Sequence, residues 1–527
     1  MSARSRAATW TLRLALTGLV ALGTGCSNGG PEPADTNVIV IVVDTLRADY
    51  VHGGHGTSTP ALDALAADGV PFDLAFAHAP MTLPAHTAFF SSRYPHISGT
   101  EVNGHPVDSN LPLLSAWLRE AGYYTAGVVS IGTLKPSTRG AGLGRGFAHY
   151  DDETQDLPRA HDAQQRLAPV LAELPQQEPF FLFAHYSDPH TPYNAHGTSS
   201  CEIDVLLDGR TLERIDVADM QTWRHEAELE PGGHRLEFVS VTPTPDDPES
   251  DLQRFTIPRL GLTLDQKELP FSIEGSAKRT NRLALVFDND STSTATLAAD
   301  LWIHETTKKE DRRERYRFEV EYVDRAIGDL ITALKRLGLY EDSLIVFTSD
   351  HGEGLGDHDH PGHVRYLYDE AIRVPLIVKL PRDHPAEERL RTAGRALARH
   401  IDVVPTVLDV VGVRPLPGQM GSSLLQDEER VHFAETRENE APQDLVAFRS
   451  ERHKLIYRVR ERQFEMYDLL EDPGELNDVF ASQGDRLAPW QAQLQRMGSR
   501  SRVLEAGELD AETRANLEAL GYLGGDE

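Results

Sequence analysis

The stretch that decides the fold runs from Ser343 to His363 and reads Ser-Leu-Ile-Val-Phe-Thr-Ser-Asp-His-Gly-Glu-Gly-Leu-Gly-Asp-His-Asp-His-Pro-Gly-His. Its apolar, β-branched beginning, Leu344 to Phe347, predicts a buried strand. The strand stops at Asp350 and His351, two metal-ligand residue types that are followed by glycines able to turn sharply. Because α/β proteins place their sites at the carboxyl ends of parallel strands, we expect both residues to contribute to a metal centre.

Three further segments have the same continuously apolar pattern: Asn37 to Val43, Tyr124 to Ser130 and Phe180 to Ala184. The first ends at Asp44, and the third runs into the stretch from His185 to His190. Helical patterns lie between the strands, which predicts a doubly wound, mostly parallel sheet with helices on both faces. Asp is common in turns, but three of the four strands end in Asp or His, which favours a site at one edge of this sheet.

Size and charge limit the classes of function. A chain of 527 residues can hold more than one domain. Its 52 basic and 82 acidic residues give a formal net charge of −30, which repels phosphate backbones. Nucleic acid is therefore not an expected partner, and no feature of the sequence predicts an obligate protein partner.

The N-terminus predicts export from the cytoplasm. Residues 1–26 have arginines, an apolar stretch and then small residues before Cys26, as in a lipoprotein signal peptide, although Gly23 stands where leucine is usual. Lipidated Cys26, followed by a flexible tether over residues 27–36, would anchor the protein to a membrane, in the periplasm or at the cell surface. The alternative is an ordinary signal peptide or an uncleaved anchor. Without Cys26 only Cys201 remains, so an intrachain disulfide is not expected.

Several motifs, taken together with the strand ends, resemble the sulfatase family within the alkaline phosphatase superfamily. They follow one another in family order from residue 37 onward, with one large interruption. The matching segments are Val42 to Asp49, Thr59 to Ala66, Thr82 to His86, Asp188 to Tyr193, Ser349 to Glu353, His400 to Asp409, Tyr467 to Glu475 and Leu517 to Leu523.

The resemblance implies an alkaline-phosphatase-like α/β fold and a metal held by Asp44, Asp350 and His351, with Thr82 at the nucleophile position and also among the ligands. Thr45 replaces the family's second aspartate of the first motif, which leaves one ligand open. Zinc or manganese suits a set of hydroxyl, carboxylate and imidazole groups best, with calcium and magnesium as alternatives.

Thr82 is the most informative departure from the family. Sulfatases proper have a motif of cysteine or serine, any residue, proline, any residue and arginine. The first residue of this motif is oxidised to formylglycine. This chain has Thr82-Leu83-Pro84-Ala85-His86, which lacks both the convertible residue and the arginine. A threonine ester must be opened by a second displacement at the central atom, as in phosphate-transferring relatives, so Thr82 favours phosphorus over sulfur. The alternative is that Thr82 only caps the helix that follows.

Three histidines complete the predicted site. His363, 12 residues after His351, stands where many sulfatases have a substrate-binding lysine, and His190 matches the family histidine that binds the anion or protonates the leaving group. We predict that both are catalytic and substrate-binding, and that His86 also binds substrate. A neutral histidine can hold a second metal or act as a general acid, so the number of metals stays open. The lysine and histidine that sulfatases place after their Tyr-x-Thr-Ala strand are missing here.

Asp357, His358 and His360 add further metal-ligand types beside His351. A polar loop of Asp, His and Gly is more often a solvated turn than a set of ligands. We therefore expect them to lie outside the metal site.

The pattern divides the chain into a catalytic part over residues 37–195 and 313–425, an insertion over 196–312 and a C-terminal subdomain over 426–527. Alternating segments and an Asp-Gly turn predict a small β-sandwich for the insertion. Trp223 and Trp302 are either stacking surfaces for a large substrate or core residues, and the core reading is favoured. The C-terminal part predicts a small α+β subdomain with an antiparallel sheet, in which Lys454 supports structure.

The sequence thus predicts a metal-dependent hydrolase that cleaves a sulfate- or phosphate-type ester, with Thr82 favouring a phosphate ester or diester. The expected partners are an anionic ester substrate, with a glycan or a lipid head group as its candidate carriers, and a membrane reached through the lipid anchor. The alternatives are a true sulfatase, a transferase that passes a phosphate-linked head group to a lipid or glycan, and a non-catalytic binding protein.

Overall fold

The computed structural model describes residues 36–104, 106–135, 142–153, 160–177, 179–191, 193, 201–217, 221–241, 255–264, 267–268, 271–274, 282–289, 293–303, 309–437 and 444–499. Cys26 and the segment from Leu517 to Leu523 lie outside these residues, as do the side chains of Cys201 and Trp302. No helix in the described part of the chain is both long and apolar enough to cross a bilayer.

Strands occur along most of the described chain. Those before the insertion are β1 (Val38–Val43), β2 (Val70–Pro71), β3 (Leu74–Phe76), β4 (Tyr124–Val128), β5 (His149–Asp151) and β6 (Phe180–Tyr186). The insertion contains β7 (Cys201–Leu207), β8 (Arg210–Val217), β9 (Gln221–Leu229), β10 (Gly232–Ser240), β11 (Phe255–Leu264), β12 (Lys267–Glu268), β13 (Ser272–Glu274), β14 (Arg282–Asn289) and β15 (Ser293–Ile303). After it come β16 (Leu344–Ser349), β17 (Leu355–Asp357), β18 (His360–Pro361), β19 (Arg373–Val374), β20 (Leu376–Lys379), β21 (Leu397–Arg399), β22 (His432–Thr436), β23 (Leu445–Arg449), β24 (His453–Arg458) and β25 (Gln463–Asp468).

The helices are concentrated in the catalytic part and at the C-terminal end. They are α1 (Pro60–Asp68), α2 (Thr82–Ser91), α3 (Pro95–Ser98), α4 (Leu114–Glu120), α5 (Ala160–Glu173), α6 (Lys309–Arg336), α7 (Asp369–Ile372), α8 (Glu387–Ala393), α9 (His400–Val410), α10 (Phe480–Gln483) and α11 (Ala488–Gly498). Helix α6 begins four residues before residue 313, the predicted start of the second catalytic part.

The central sheet has seven strands in the order β2-β20-β16-β1-β6-β4-β5. The five from β16 to β5 are parallel, and β20 and β2 add an antiparallel edge. The predicted mostly parallel α/β sheet is therefore confirmed. Strand β4 ends two residues earlier than predicted and β6 ends two residues later, which places His185 inside a strand.

Every residue of β1 is buried, because helices cover both faces of the sheet. Val38, Val40 and Val42 pack in one core with residues of α2, α4, α8 and α9. Ile39, Ile41 and Val43 pack in a second core with residues of α1, α5 and α6. The continuous apolar run of β1 thus reflects a strand that separates two cores.

The insertion folds into two antiparallel sheets, ordered β13-β14-β10-β7-β8 and β12-β11-β15-β9, which share one apolar core. This is the sandwich arrangement that the alternating pattern predicts. Strands β7 and β8 are joined at Asp208 and Gly209, whose φ values of 50° and 75° suit an Asp-Gly hairpin turn. Trp223 is 3% exposed in the core and donates its indole N–H to Glu213 at 3.0 Å, so the prediction that Trp223 is a core residue is confirmed.

The C-terminal strands form an antiparallel sheet ordered β22-β23-β24-β25, against which α11 packs. Lys454 of β24 is fully buried, and its ammonium group lies 2.9 Å from Asp369 and 2.7 Å from Glu475. These ion pairs join the C-terminal sheet to α7 and to the loop after β25. Lys454 has the structural role that the sequence predicts.

Candidate metal centre and active site

The three predicted metal ligands meet at the carboxyl edge of the central sheet. Asp44 follows β1, and Asp350 and His351 follow β16, its parallel neighbour, with Val43 paired to Ser349. One ligand atom from each of the three lies within 4.8 Å of the others. His351 Nε2 is 3.9 Å from Asp44 Oδ1 and 3.5 Å from Asp350 Oδ2. Parallel pairing thus joins residues that are about 300 positions apart in the sequence.

Hydrogen bonds orient two of these ligands and leave one atom of each unpaired. Asp350 Oδ1 accepts from the backbone N–H groups of Thr45 at 3.1 Å and His351 at 2.8 Å, whereas its Oδ2 has no partner among the described residues. His351 donates Nδ1–H to the Gly352 carbonyl at 2.9 Å, which leaves the lone pair on Nε2 unpaired in the same way. Burial lowers the pKa of His351 to about 3, so this ring is neutral and able to bind a metal.

Asp44 is the most strongly perturbed acid of the group. Burial, followed by the charges of Asp350 and Glu353, raises the pKa of Asp44 well above its usual range, and the nearby hydroxyl of Thr82 lowers it. Burial also raises the pKa of Asp350 to about 6. Two buried carboxylates that face each other need a cation to remain charged. The unpaired oxygens and the neutral imidazole therefore fit a divalent metal ion.

Thr45, next to Asp44, contributes a hydroxyl where the family motif has a second carboxylate. Its φ of 55° is unusual for a β-branched residue, and its carbonyl accepts a hydrogen bond from Tyr316 at 2.6 Å. The buried hydroxyl of Thr45 has no hydrogen-bond partner within the described ranges. This chain thus has one carboxylate fewer at this edge of the sheet than the family motif has.

Thr82 is the first residue of α2 and is fully buried. Met81 occupies the N-cap position and makes no capping hydrogen bond with its own side chain, and Thr82 already lies within the helix, so the alternative that Thr82 serves only as an N-cap is wrong. The carbonyl of Thr82 accepts a hydrogen bond from His86 Nδ1, which lies 3.6 Å from Asp350 Oδ2, so the first turn of α2 lies beside the predicted metal ligands. Pro84 lies in the first turn, as the sequence predicts.

Asn103 lies beside the first turn of α2 and was not identified from the sequence. Its Oδ1 accepts a hydrogen bond from the backbone N–H of Leu83 at 2.9 Å. Its Nδ2 is buried and unpaired within the described part of the chain. Asn103 belongs to a loop, and no periodicity or motif in the sequence marks it. It offers an amide donor next to the predicted nucleophile.

His190 and His363 form a second group beside the metal ligands. Their ring centroids are 5.2 Å apart, and the His363 ring is 4.5 Å from that of His351. His190 donates Nδ1–H to the Thr191 carbonyl at 2.8 Å, and His363 Nδ1 lies 3.2 Å from Glu353 Oε1. Burial lowers the pKa of both histidines to about 3, so both rings are neutral.

Glu353 is part of the motif quoted above, but the sequence did not predict a role for it. It is fully buried, and burial raises its pKa above the usual range. The presence of Glu in a His-Gly-Glu sequence at a strand end could have drawn attention to it.

His86 is buried within the site. It is 1% exposed, its Nδ1–H donates to the Thr82 carbonyl at 2.8 Å, and the same nitrogen lies 3.6 Å from Asp350 Oδ2. The structure thus brings His86 to the predicted nucleophile and to a predicted metal ligand. Its substrate-binding role stays a prediction.

The remaining ligand types of the loop after β16 are held by other partners. Asp357 forms ion pairs with Arg47, at 2.6 Å, and with Arg313. His358 lies 2.7 Å from Glu370, and His360 stacks on Tyr366 at a centroid distance of 3.3 Å. In the described residues none of the three belongs to the metal-ligand group, as expected.

Comparisons with known proteins agree with this architecture. The family model described as Sulfatase matches residues 36–413, and the model described as N-sulphoglucosamine sulphohydrolase, C-terminal, matches residues 356–498. The chain is 23% identical over 498 residues to N-acetylglucosamine-6-O-sulfatase of Bacteroides thetaiotaomicron, covering 86% of this chain and 84% of that protein. It is 24% identical over 472 residues to choline-sulfatase of Rhizobium meliloti, covering 84% and 82%.

A solved structure has the same fold. Phosphonate monoester hydrolase from Silicibacter pomeroyi superposes with a TM-score of 0.56 at 20% identity, covering 89% of this chain and 97% of that chain. The likeness supports the α/β architecture around the mixed, mostly parallel sheet.

Proposed function

This chain belongs to the sulfatase family of ester hydrolases, and from that premise we propose that it hydrolyses a phosphate ester or diester with Thr82 as the nucleophile. The observation that carries the proposal is the position of Thr82 at the first residue of α2, where its carbonyl accepts from His86, whose Nδ1 lies 3.6 Å from Asp350 Oδ2. A threonine cannot become the formylglycine that sulfate transfer by this family uses. The ester that Thr82 forms with the transferred group must be opened by a second displacement at the central atom, and phosphorus permits this displacement readily.

The reaction takes place in two displacements. The Thr82 oxygen attacks phosphorus in line with the leaving alcohol, so that a phosphothreonine ester forms and the ester bond to the alcohol breaks. Water then attacks the same phosphorus from the opposite side, which releases phosphate or a phosphate monoester and restores the Thr82 hydroxyl. The Nδ2 group of Asn103 donates a hydrogen bond to a non-bridging oxygen, where negative charge increases in the transition state.

His190 and His363 act on the other side of the reacting group. Both rings are neutral, so each has a single N–H. In His190 that proton is on Nδ1, which donates to the Thr191 carbonyl, so Nε2 has a lone pair that must take up a proton before it can deliver one to the departing oxygen. The Nδ1 atom of His363 likewise faces Glu353, at 3.2 Å from its Oε1. We assign the anion and leaving-group contacts to this pair.

Asp44, Asp350 and His351 would hold a divalent metal ion, with the Thr82 oxygen as a further ligand, and the ion would lower the hydroxyl's pKa and neutralise charge on the transferred group. The family typically uses a divalent metal. The imidazole among the ligands favours zinc or manganese over calcium or magnesium.

A second candidate is the hydrolysis of a sulfate ester on a glycan by direct attack of Thr82. The relatives over more than four-fifths of the chain include an N-acetylglucosamine-6-O-sulfatase and a choline-sulfatase, which supports a sulfated substrate. The signal-like N-terminus and Cys26 support a lipid-anchored protein outside the cytoplasm, where glycans and lipid head groups are accessible.

The test is a panel of nitrophenyl sulfate, phosphate, phosphodiester and phosphonate esters, assayed with the wild type, Thr82→Ala and Thr82→Ser in the presence of manganese or zinc. We expect the phosphodiester to be cleaved fastest, Thr82→Ala to lose about 10³-fold in kcat/KM and Thr82→Ser to retain most activity. Equal rates for wild type and Thr82→Ala would remove Thr82 from the mechanism.

The other results of the panel separate the alternatives. A sulfate rate far above the phosphodiester rate would identify a true sulfatase. Nitrophenol release that requires an added acceptor such as glycerol would identify a head-group transferase. Absence of turnover with every ester and metal would favour the non-catalytic binding protein.

A further inference from the structure

Strand β22 of the C-terminal subdomain lies against the segment that leads to the predicted nucleophile. The backbone N–H of Glu435 donates to the His78 carbonyl at 2.9 Å. The hydroxyl of Thr436, the last residue of β22, donates to the carbonyl of Val364, which follows His363. The end of β22 therefore contacts both the segment before α2 and the loop that carries one of the predicted catalytic histidines.

Arg437, the residue after β22, brings a guanidinium group to the same region. It is 8% exposed and forms an ion pair with Glu101, which is 4% exposed. Its Nη2 has no hydrogen-bond partner in the described part of the chain, so the recorded interaction of this guanidinium group is its charge attraction to Glu101. The ion pair joins the C-terminal subdomain to the loop that follows α3.

The same loop carries Asn103 to the first turn of α2. Asn103 Oδ1 accepts the backbone N–H of Leu83 at 2.9 Å, and its buried Nδ2 is the donor assigned above to the transferred group. Because only Val102 separates Glu101 from Asn103, a displacement of Glu101 is passed on to the Asn103 amide.

A buried ion pair adds little stability compared with apolar residues of similar size, so a geometric role accounts better for this one. We propose that Arg437 is a positioning residue, which through Glu101 fixes the loop so that Asn103 keeps its bond to Leu83 and presents Nδ2 to the transferred group. The inference rests on the proposed function, because the orientation of Asn103 Nδ2 matters for the reaction at Thr82.

Three substitutions remove or keep the charge pair. Arg437→Met and Glu101→Gln each remove one of the two charges, whereas Arg437→Lys keeps both. We expect the first two to lower kcat on the nitrophenyl phosphodiester by about 10- to 100-fold with little change in KM, since misplacement of a group by about 1 Å has effects of this size. Arg437→Lys should stay within about fivefold of the wild type, because an ammonium group still attracts Glu101. A higher KM at unchanged kcat would show that Arg437 binds the substrate itself and would overturn the proposal.

A second buried arginine of the C-terminal sheet provides the matched control. Arg449 is 3% exposed and forms an ion pair with Asp369 at 3.0 Å. Arg449→Met should destabilise the fold, as Arg437→Met does, but leave kcat per folded molecule unchanged. Equal kcat values for the two variants would mean that Arg437 serves stability alone.

A double-substitution cycle tests whether Arg437 acts through Asn103. The Asn103→Ala/Arg437→Met enzyme should be no slower than Asn103→Ala alone, because Arg437 then has no amide left to position. Additive losses of kcat would contradict this role.

A readout independent of activity separates this proposal from the proposed function. In metal-free protein labelled with ¹⁵N-asparagine, the side-chain amide signals of Asn103 are identified by their loss in Asn103→Ala. Glu101→Gln, which keeps the shape of the side chain, should shift these signals, and Arg449→Met should not. Unshifted signals in Glu101→Gln would overturn the proposal even if Arg437→Met fails to fold. If the signals shift as expected while Thr82→Ala retains full activity, the proposed function fails and the effect of the ion pair on Asn103 stands.

Discussion

Two buried charged clusters of this protein differ in where their positive charge comes from. The acidic cluster, Asp44, Asp350 and His351, brings two carboxylates together beside a neutral imidazole. The ion-pair cluster, Asp369, Arg449, Lys454 and Glu475, brings two carboxylates together with an ammonium and a guanidinium group.

Asp369 and Asp44 respond in opposite directions, whereas burial raises the pKa of Glu475 to about 7 although Lys454 lies beside it. Burial raises the pKa of Asp369, but the charges of Lys454 and Arg449 outweigh burial and hold this pKa well below its usual range. In the acidic cluster burial and neighbouring acids both act to raise the pKa of Asp44. A buried acid that the chain pairs with its own cation stabilises the fold, whereas acids left without one form a binding site for a cation.

The largest expected effect is the loss of activity when the acidic cluster is broken. Asp44→Asn should reduce kcat/KM on the preferred ester by about 10³-fold or more, because it removes a ligand of the predicted metal. The same change should stabilise the metal-free protein at pH 7, since one of two facing carboxylates becomes neutral. Ester hydrolysis assays and chemical denaturation in a chelator measure the two effects.

The pH dependence of the metal-free protein sharpens this test. Because the pKa of Asp44 is raised in the folded state, wild-type stability should fall as the pH rises above the acid's ordinary value of about 4, and Asp44→Asn should flatten that fall. Manganese or zinc at about 100 times its Kd should stabilise the wild type by about 2.7 kcal/mol and the variant much less. The exposed Asp342→Asn serves as the control, and a destabilised metal-free Asp44→Asn protein would contradict the comparison.

The second effect is the loss of stability when the ion-pair cluster is broken. Lys454→Met leaves the buried Glu475 and the partly buried Asp369 with less positive charge and should lower the free energy of unfolding by about 3–5 kcal/mol. Activity per folded molecule should be unchanged, as measured by active-site titration alongside urea denaturation.

A matched lysine provides the control for Lys454. Lys335 forms an exposed ion pair with Asp68 at 3.4 Å, and Lys335→Met should change stability by less than about 1 kcal/mol. If Lys454→Met proved as mild as Lys335→Met, the cluster would not stabilise the subdomain. Adding Glu475→Gln to Lys454→Met should restore part of the loss.

The smallest effect concerns His358, which links the loop after β16 to the C-terminal subdomain. Its ring contacts Glu370 Oε1 at 2.7 Å and the Glu475 carbonyl at 3.1 Å. Burial lowers the pKa of His358, but the hydrogen bond and charge of Glu370 outweigh burial and raise it to about 8. The contribution of this pair to stability should be complete below about pH 6.5 and lost as the pH rises past 8.

Unfolding measured from pH 6 to 9 tests this expectation. The His358→Gln protein should be less stable than the wild type by about 1 kcal/mol at pH 6, and the difference should shrink toward pH 9, since the site is partly solvated. The exposed His161→Gln serves as the control. If the difference in stability between the wild type and His358→Gln grew with pH, the raised pKa of His358 would be contradicted.

The sequence by itself determined the strands of the central sheet and the residues at their ends. Runs such as Val38–Val43 are apolar throughout because both faces are covered, and this property can be read locally. Since parallel strands place their carboxyl ends at one edge, Asp44, Asp350 and His351 could be predicted to meet. Thr82 at the start of a helix and the hairpin at Asp208 and Gly209 follow from equally local rules.

Only the tertiary structure decided which polar side chains face one another. Asn103 and Arg437 have no local pattern that marks them, and Asp357 has the residue type of a ligand but lies between Arg47 and Arg313. Hydrogen bonds and ion pairs act over a few ångströms between segments that are far apart in sequence. Their partners are therefore set by the packing of loops against the sheet, which periodicity along the chain does not specify.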